Sequence, residues 1–268
     1  SRIALLDGIL TFFILLGFHF ILLDRRRSIP LVERAPDDDR EYLWGRIVWR
    51  RPWVIAAGVA LGAATAVKWS GLYALAGLGI YLVVTDALAR RRAGVAYWPM
   101  DAVARQGVVS FLLLVPVAFI TYLASWTGWL VTAGGYDRRS DANPLVALWK
   151  YHESIYGFHV GLSSGHTYSS PAWQWPFLVR PTAVWVGDDP SCGTGHCMSV
   201  ISTVPNPLIW YAGVAAAIYL LYRLVRGLIE RRPMPWTYGL PLVGLGVYTG
   251  MPLALALAAE SVPTRMIG

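Results

Sequence analysis

About twenty residues from Ile3 to Leu23 are almost wholly apolar, and the run stops at Asp24-Arg25-Arg26-Arg27. No other feature constrains the fold as much. A stretch of this length matches the hydrocarbon thickness of a bilayer, and an arginine cluster at its end marks the cytoplasmic side. The pattern recurs along the chain. Val54 to Leu88, 35 residues interrupted by Lys68-Trp69-Ser70-Gly71, is too long for one span and short for two, so it predicts two helices turning near Lys68. It ends at Arg90-Arg91-Arg92. Val108 to Trp126 follows, then Asn206 to Tyr222 running into Arg223 and Arg226, then Tyr238 to Ala258. The expectation is an all-α polytopic transmembrane bundle with about six spans, at 3–23, 54–68, 70–88, 108–126, 206–222 and 238–258. A hydrophobic content of 56% against 15% charged residues agrees with a chain that does not have water as its only solvent.

A net charge of +7 raises nucleic acid as a partner. The basic residues instead sit in short clusters beside apolar runs: 16 of the 23 fall in the three loops assigned to the cytoplasm. This distribution favours membrane topology, with no nucleic-acid partner expected. Residues 28–53 are polar and read as a cytoplasmic loop carrying a short surface helix around Glu41 to Trp49. Residues 127–205, the longest break in the hydropathy pattern, read as one large exterior loop with short helices, including one from Pro144 to Phe158. Ser1 begins almost directly on a span without an initiator Met, which predicts a piece of a longer protein.

Several side chains could carry chemistry. Lys68 is a cation within a long apolar run, which costs roughly 2.5–3.5 kcal/mol at mid-membrane. One reading has it snorkelling to the headgroups; the other has it holding an anion such as a lipid phosphate, with Trp69 and Ser70 completing the pocket. Asp7, near the outer end of the first span, is open to a functional or a hydrogen-bonded structural reading. In the exterior loop, His166, Tyr168, Trp173, Trp175 and Arg180 bring together a proton-transfer group, aromatic faces for sugars or lipid chains, and a bidentate phosphate donor. The alternative is an interfacial segment in which the aromatics only anchor at the headgroups. His152 and His159, in the helix after Pro144, are assigned packing roles. Cys192 and Cys197, with His196 between them, admit a metal site; a local disulfide in an oxidising compartment is simpler. No metal is expected, because the exterior acids form no ligand cluster.

Three segments together resemble the protein O-mannosyltransferase family: Ser1-Arg2-Ile3-Ala4-Leu5-Leu6-Asp7-Gly8, Val67-Lys68-Trp69-Ser70-Gly71-Leu72-Tyr73, and the loop from Gly165 to Pro181. Asn206-Pro207-Leu208-Ile209-Trp210-Tyr211 is similar to the family's entry into the next span. The likeness runs from Ser1 to about Tyr248, beyond which Thr249 to Gly268 departs from the pattern. The resemblance implies an inverting membrane glycosyltransferase of the GT-C type in the plasma membrane, with no cofactor. It implies a polyprenyl-phosphate-mannose donor and a secreted or translocating protein acceptor modified at Ser or Thr. Lys68 and Arg180 would then meet the donor phosphate, and His166, Tyr168, Trp173, Trp175, Trp69 and Ser70 the donor or acceptor. The family's catalytic Asp-Glu pair lies in an exterior loop upstream of the matching region. Residues 1–268 therefore read as a partial glycosyltransferase domain, expected to be inactive alone.

Competing expectations are a related transferase for another lipid-linked sugar, or a non-catalytic membrane scaffold. A transporter would require polar residues along several spans, and apart from Lys68 these spans read as apolar.

Overall fold

The computed structural model describes residues 6–33, 43–161, 172–179, 181, 183–188, 198–202 and 204–230. They fall into two compact units, the first reaching Gly157 and the second beginning at Phe158. In chain order the helices are α1 (Asp7–Glu33), α2 (Pro52–Val67), α3 (Gly71–Arg92), α4 (Trp98–Met100), a π-helix (Asp101–Gly107), α5 (Val108–Ser125), α6 (Thr127–Val131) and α7 (Pro144–Gly161). A 3-10 helix (Ala172–Phe177), strands β1 (Ala183–Asp188) and β2 (Met198–Ser202), and α8 (Pro207–Ile229) follow.

Among the described residues four helices are long and apolar enough to cross a membrane: Asp7–Glu33, Gly71–Arg92, Trp98–Ser125 and Pro207–Gly227. In a bilayer an α-helix satisfies its own backbone polar groups, so apolar runs of this length adopt it. The chain is a multi-pass helical membrane protein. Large side chains such as Phe12, Ile80 and Ile120 point outward, where lipid would meet them. Pro52–Val67 is apolar but shorter. The expected sixth span, 238–258, lies outside the described residues.

In the first unit α2 packs between α1 and α5 around Ile21, Val54, Leu61, Leu78 and Leu114. Two glycines let it approach α5. A Cβ on Gly58 would stand 2.7 Å from the Leu114 carbonyl oxygen, and one on Gly62 would stand 2.4 Å from that of Ala118. This is the small-xxx-small face that brings membrane helices into backbone contact.

The arginine-rich end departs from the expectation of a solvated loop. Helix α1 does not stop at Leu23 but continues through Pro30 to Glu33. Residues 43–51 are non-helical, so the expected surface helix around Glu41 to Trp49 is absent over the part described. The cause is a buried network. Arg25 and Arg51 both donate to Asp24, at 2.7 and 2.6 Å, and both reach Asp86, at 2.7 and 3.3 Å. Ser28, one turn beyond Asp24, donates to the same carboxylate, which holds α1 helical there. Arg51 also donates to Ser110, and Arg25 to Thr85. A second clamp holds the extended segment: the Gln106 side-chain amide pairs with both backbone groups of Val48, as a neighbouring strand would. Arg90 is paired with Asp101 and donates to the Arg46 carbonyl. The apolar reading of the third span missed Asp86, which lies inside it.

In the second unit β1 and β2 pair antiparallel, with Trp185 opposite Ile201 and Gly187 opposite Ser199. This hairpin is a local departure from an all-helical loop, formed where Val, Trp and Ile favour a pleated surface. Asn206 caps α8 through its side-chain oxygen, which accepts from the Leu208 amide at 3.0 Å.

Gly62→Val is expected to cost about 1–3 kcal/mol by forcing α2 from α5. Asp86→Ala, which leaves two buried guanidiniums sharing one carboxylate, is expected to cost about 3–5 kcal/mol. Thermal unfolding in detergent checks both, and an unchanged midpoint in either variant would contradict the assigned contact.

Candidate functional site

At the other end of α1 to α5 the chain makes a tight turn. The Lys68 backbone is extended (φ −158°, ψ 136°), which ends α2. The Gly71 amide then closes the turn onto the Lys68 carbonyl at 2.9 Å. Gly71 is required by close approach, since a Cβ there would lie 2.6 Å from the Thr65 amide nitrogen. The Lys68 ammonium pairs with Asp7 at 2.9 Å, and the two side chains are 54% and 58% exposed. The two ionisable residues read separately in the sequence are thus partners across 61 positions.

Beside this pair runs a relay of hydrogen bonds. The Trp69 indole N–H donates to the Tyr122 hydroxyl at 3.2 Å, and Tyr122 meets His152 Nε2 at 2.5 Å. His152 Nδ1 lies 2.8 Å from the Leu148 carbonyl oxygen, which can only accept, so Nδ1 carries a proton. In the neutral ring Nε2 then accepts from Tyr122, and every donor points one way, from Trp69 to Leu148. Trp69 stacks on His152 at 5.7 Å and Trp126 lies 5.1 Å from the same ring. Trp129 continues the cluster by stacking on Tyr151, with Arg138 over its face. The expected packing role of His152 is therefore joined by a polar one, tying α7 to α5 and to the Lys68 turn.

Helix α7 starts where it does because of its capping residues. Asn143 accepts from the Leu145 amide, and Asp141 accepts from the Asn143 amide and from Lys150, each at 2.9 Å. The Lys150 hydrogen bond, followed by the backbone one, holds the Asp141 carboxyl below the usual carboxylate range. A depressed pKa means that this contact supports α7 above the ordinary carboxylate range and is lost as pH falls through the lowered value.

A cavity of about 320 Å³ opens under the relay, lined by Thr65, Trp69, Phe119, Tyr122 and His152 among others. It meets a larger apolar trough of about 810 Å³ along α3, the π-helix and α5, because Leu72, Leu75 and Val115 line both. Ser70 Oγ is buried without a hydrogen-bond partner among the described residues. The arrangement offers an exposed cation, aromatic walls and an apolar channel, which suits a ligand with an anionic head and a long hydrocarbon tail.

Of the residues expected from sequence, Lys68, Trp69 and Ser70 are brought together here. Trp173 and Trp175 lie in the 3-10 helix of the second unit. His166, Tyr168, Arg180, Cys192 and Cys197 lie outside the described residues. Tyr122 and His152 were not expected as a hydrogen-bonded pair. Their signal in sequence was only an aromatic at the end of one span and a histidine in a later amphipathic helix. No group of residues suited to holding a metal occurs among the described residues.

Tyr122→Phe leaves the Trp69 N–H and the His152 Nε2 without their partner. It is expected to cost about 1–3 kcal/mol, read as a lowered thermal midpoint; equal midpoints would mean that the relay is dispensable.

Comparison with known proteins gives a consistent relationship. Residues 144–241 match the family model described as the C-terminal four-transmembrane region of protein-O-mannosyltransferase. The chain is 33% identical over 267 residues to a polyprenol-phosphate-mannose–protein mannosyltransferase of Mycolicibacterium smegmatis, covering 91% of this chain and 50% of that protein. The protein of the same name from Mycobacterium tuberculosis is 32% identical, covering 91% of this chain and 49% of that protein. The one from Corynebacterium glutamicum is 29% identical, covering 83% and 47%. The chain thus spans about half the length of the curated relatives it matches. No solved structure matches it.

Proposed function

We propose that this chain belongs to the protein O-mannosyltransferase family and is part of an enzyme that moves mannose from a polyprenyl-phosphate carrier to Ser or Thr hydroxyls of secreted proteins. The observation that carries this reading is the 33% identity to the Mycolicibacterium smegmatis protein across 91% of the chain. The geometry of the Lys68 end supports it. In this reading the donor's phosphate lies at Lys68 beside Trp69 and Ser70, and its isoprenoid chain follows the apolar trough between α3 and α5. Arg180 is assigned to the same phosphate, and His166, Tyr168, Trp173 and Trp175 to sugar or acceptor contacts. The protein sits in the plasma membrane with the Lys68 end and residues 127–205 outside and the arginine-rich end in the cytoplasm.

The chemistry follows from the charges. The acceptor oxygen bonds to the anomeric carbon of mannose on the face opposite the phosphate. The bond from that carbon to the phosphate oxygen breaks with its electron pair going to the phosphate, and the hydroxyl proton passes to a carboxylate base. That base is assigned to the family's Asp-Glu pair, and to no residue of this chain. Negative charge grows on the phosphate as the bond breaks, so a cation fixed beside it favours the transition state over the bound donor.

Lys68→Gln in the full-length protein is expected to lower kcat/KM for mannosyl transfer by about 10²–10³-fold. Near-normal transfer would remove Lys68 from the site. Competition by unlabelled polyprenyl-phosphate-mannose, but not by a carrier with a different sugar, is the outcome expected for a mannose donor.

A further inference from the structure

We infer that Asp7 is a specificity-determining residue that offsets part of the advantage a dianionic phosphate would otherwise have at Lys68, so that a doubly charged monoester is released more readily than it would be from an unopposed lysine. This rests on the proposed reading of Lys68 as the phosphate site.

The observation is the pair itself. Asp7 Oδ1 lies 2.9 Å from Lys68 Nζ, and both side chains are more than half exposed, at 58% and 54%. A headgroup can therefore reach the ammonium without unburying either residue. Among the described residues the Asp7 carboxylate has no other hydrogen bond or ion pair; Thr11 donates to the Asp7 backbone carbonyl instead. The carboxylate is thus a fixed negative charge directly beside the cation, and the two sum to zero.

A lone lysine attracts a phosphate more strongly as its charge increases. A lysine with a carboxylate against it does so less steeply, because the second negative charge gains attraction to the ammonium and incurs an opposing repulsion from the carboxylate. The two species that meet here differ in just this respect. A sugar phosphodiester carries one negative charge, whereas the monoester left after transfer carries close to two above its second pKa of about 6. Without Asp7 the product would be the tighter ligand and would compete with the next donor. With Asp7 the added charge gains less at Lys68, and the product departs more readily than it would from an unopposed lysine.

Equilibrium binding separates the possibilities. The purified full-length protein in detergent is titrated at about pH 8 with mannosyl polyprenyl phosphate and with polyprenyl monophosphate of the same chain length, at a pH where the monoester is essentially a dianion. Asp7→Asn keeps an oxygen that can accept from Lys68 but removes the charge. A unit charge about 5 Å away changes affinity roughly four-fold at the dielectric of bulk water, and by more where the dielectric is lower. Asp7→Asn should therefore tighten both ligands, with the monoester gaining at least about four-fold more than the diester. The difference should shrink at high salt, and Asp7→Glu should restore the wild-type ratio. An unchanged ratio of affinities in Asp7→Asn, or a loss of monoester binding relative to diester, overturns the inference. Lys68→Gln distinguishes that failure from a failure of the underlying reading. If it weakens both ligands while the Asp7→Asn ratio stays flat, only the role of Asp7 falls. If it leaves both ligands unaffected, Lys68 is not the phosphate site.

Discussion

Two carboxylates and two guanidiniums hold α1, α3 and α5 to the entry of α2, and none of the four side chains is more than 3% exposed. Asp24 and Asp86 carry two negative charges, Arg25 and Arg51 two positive ones, so the buried assembly is neutral. Desolvating four ions costs more than a single contact returns, and such a group persists only where hydrogen bonds satisfy nearly every donor and acceptor. Ser28, Thr85 and Ser110 complete that requirement. Apolar side chains do little to choose partners among membrane helices, because lipid is as apolar as leucine. The charges therefore supply the register that the leucines and valines do not. Gly58 and Gly62 then determine how closely α2 settles against α5.

The π-helix from Asp101 to Gly107 extends the same logic along the chain. Widening one stretch of backbone brings Asp101 and Gln106 inward together, where one meets Arg90 and the Gly45 amide and the other grips Val48. Arg105 stays nearer the surface, paired with Asp101 and lying over the Trp44 ring. The arginine-rich end is thus well ordered around its buried charges, and residues 43–51, which lead into α2, are pinned by side chains from α3 and the π-helix.

Much of the helical architecture was legible in the sequence because the physics that creates it is local. A run such as Val108 to Ser125 needs only its own length and hydropathy to announce a helix. The turn at Lys68 was legible too, because a lysine followed by Trp-Ser-Gly interrupts an apolar stretch of the wrong length for one span. What hydropathy hides is pairing. An arginine beside a span has the same index whether water or a carboxylate faces it, so Asp24, Arg25 and Arg51 read as a solvated border and Asp86 went unnoticed inside an apolar run. The site divides in the same way. Lys68, Trp69 and Ser70 stood out as neighbours in sequence, whereas Asp7, Tyr122 and His152 join them only through the fold. The expectation of a mannose donor rests solely on resemblance, since nothing in the residues themselves distinguishes one lipid-linked sugar from another.

Helix α2 has 16 residues, hence a length of about 24 Å against a hydrocarbon core of about 30 Å. Its neighbours α1 and α3 are longer, at 27 and 22 residues. A short helix among long ones makes the surrounding bilayer thin, or draws headgroups inward at its end. The half-exposed ammonium that terminates α2 would then lie at the floor of a shallow dimple in the membrane surface. In such a dimple a charge carried on a lipid and a hydroxyl carried in water can meet with neither crossing the full depth of a leaflet.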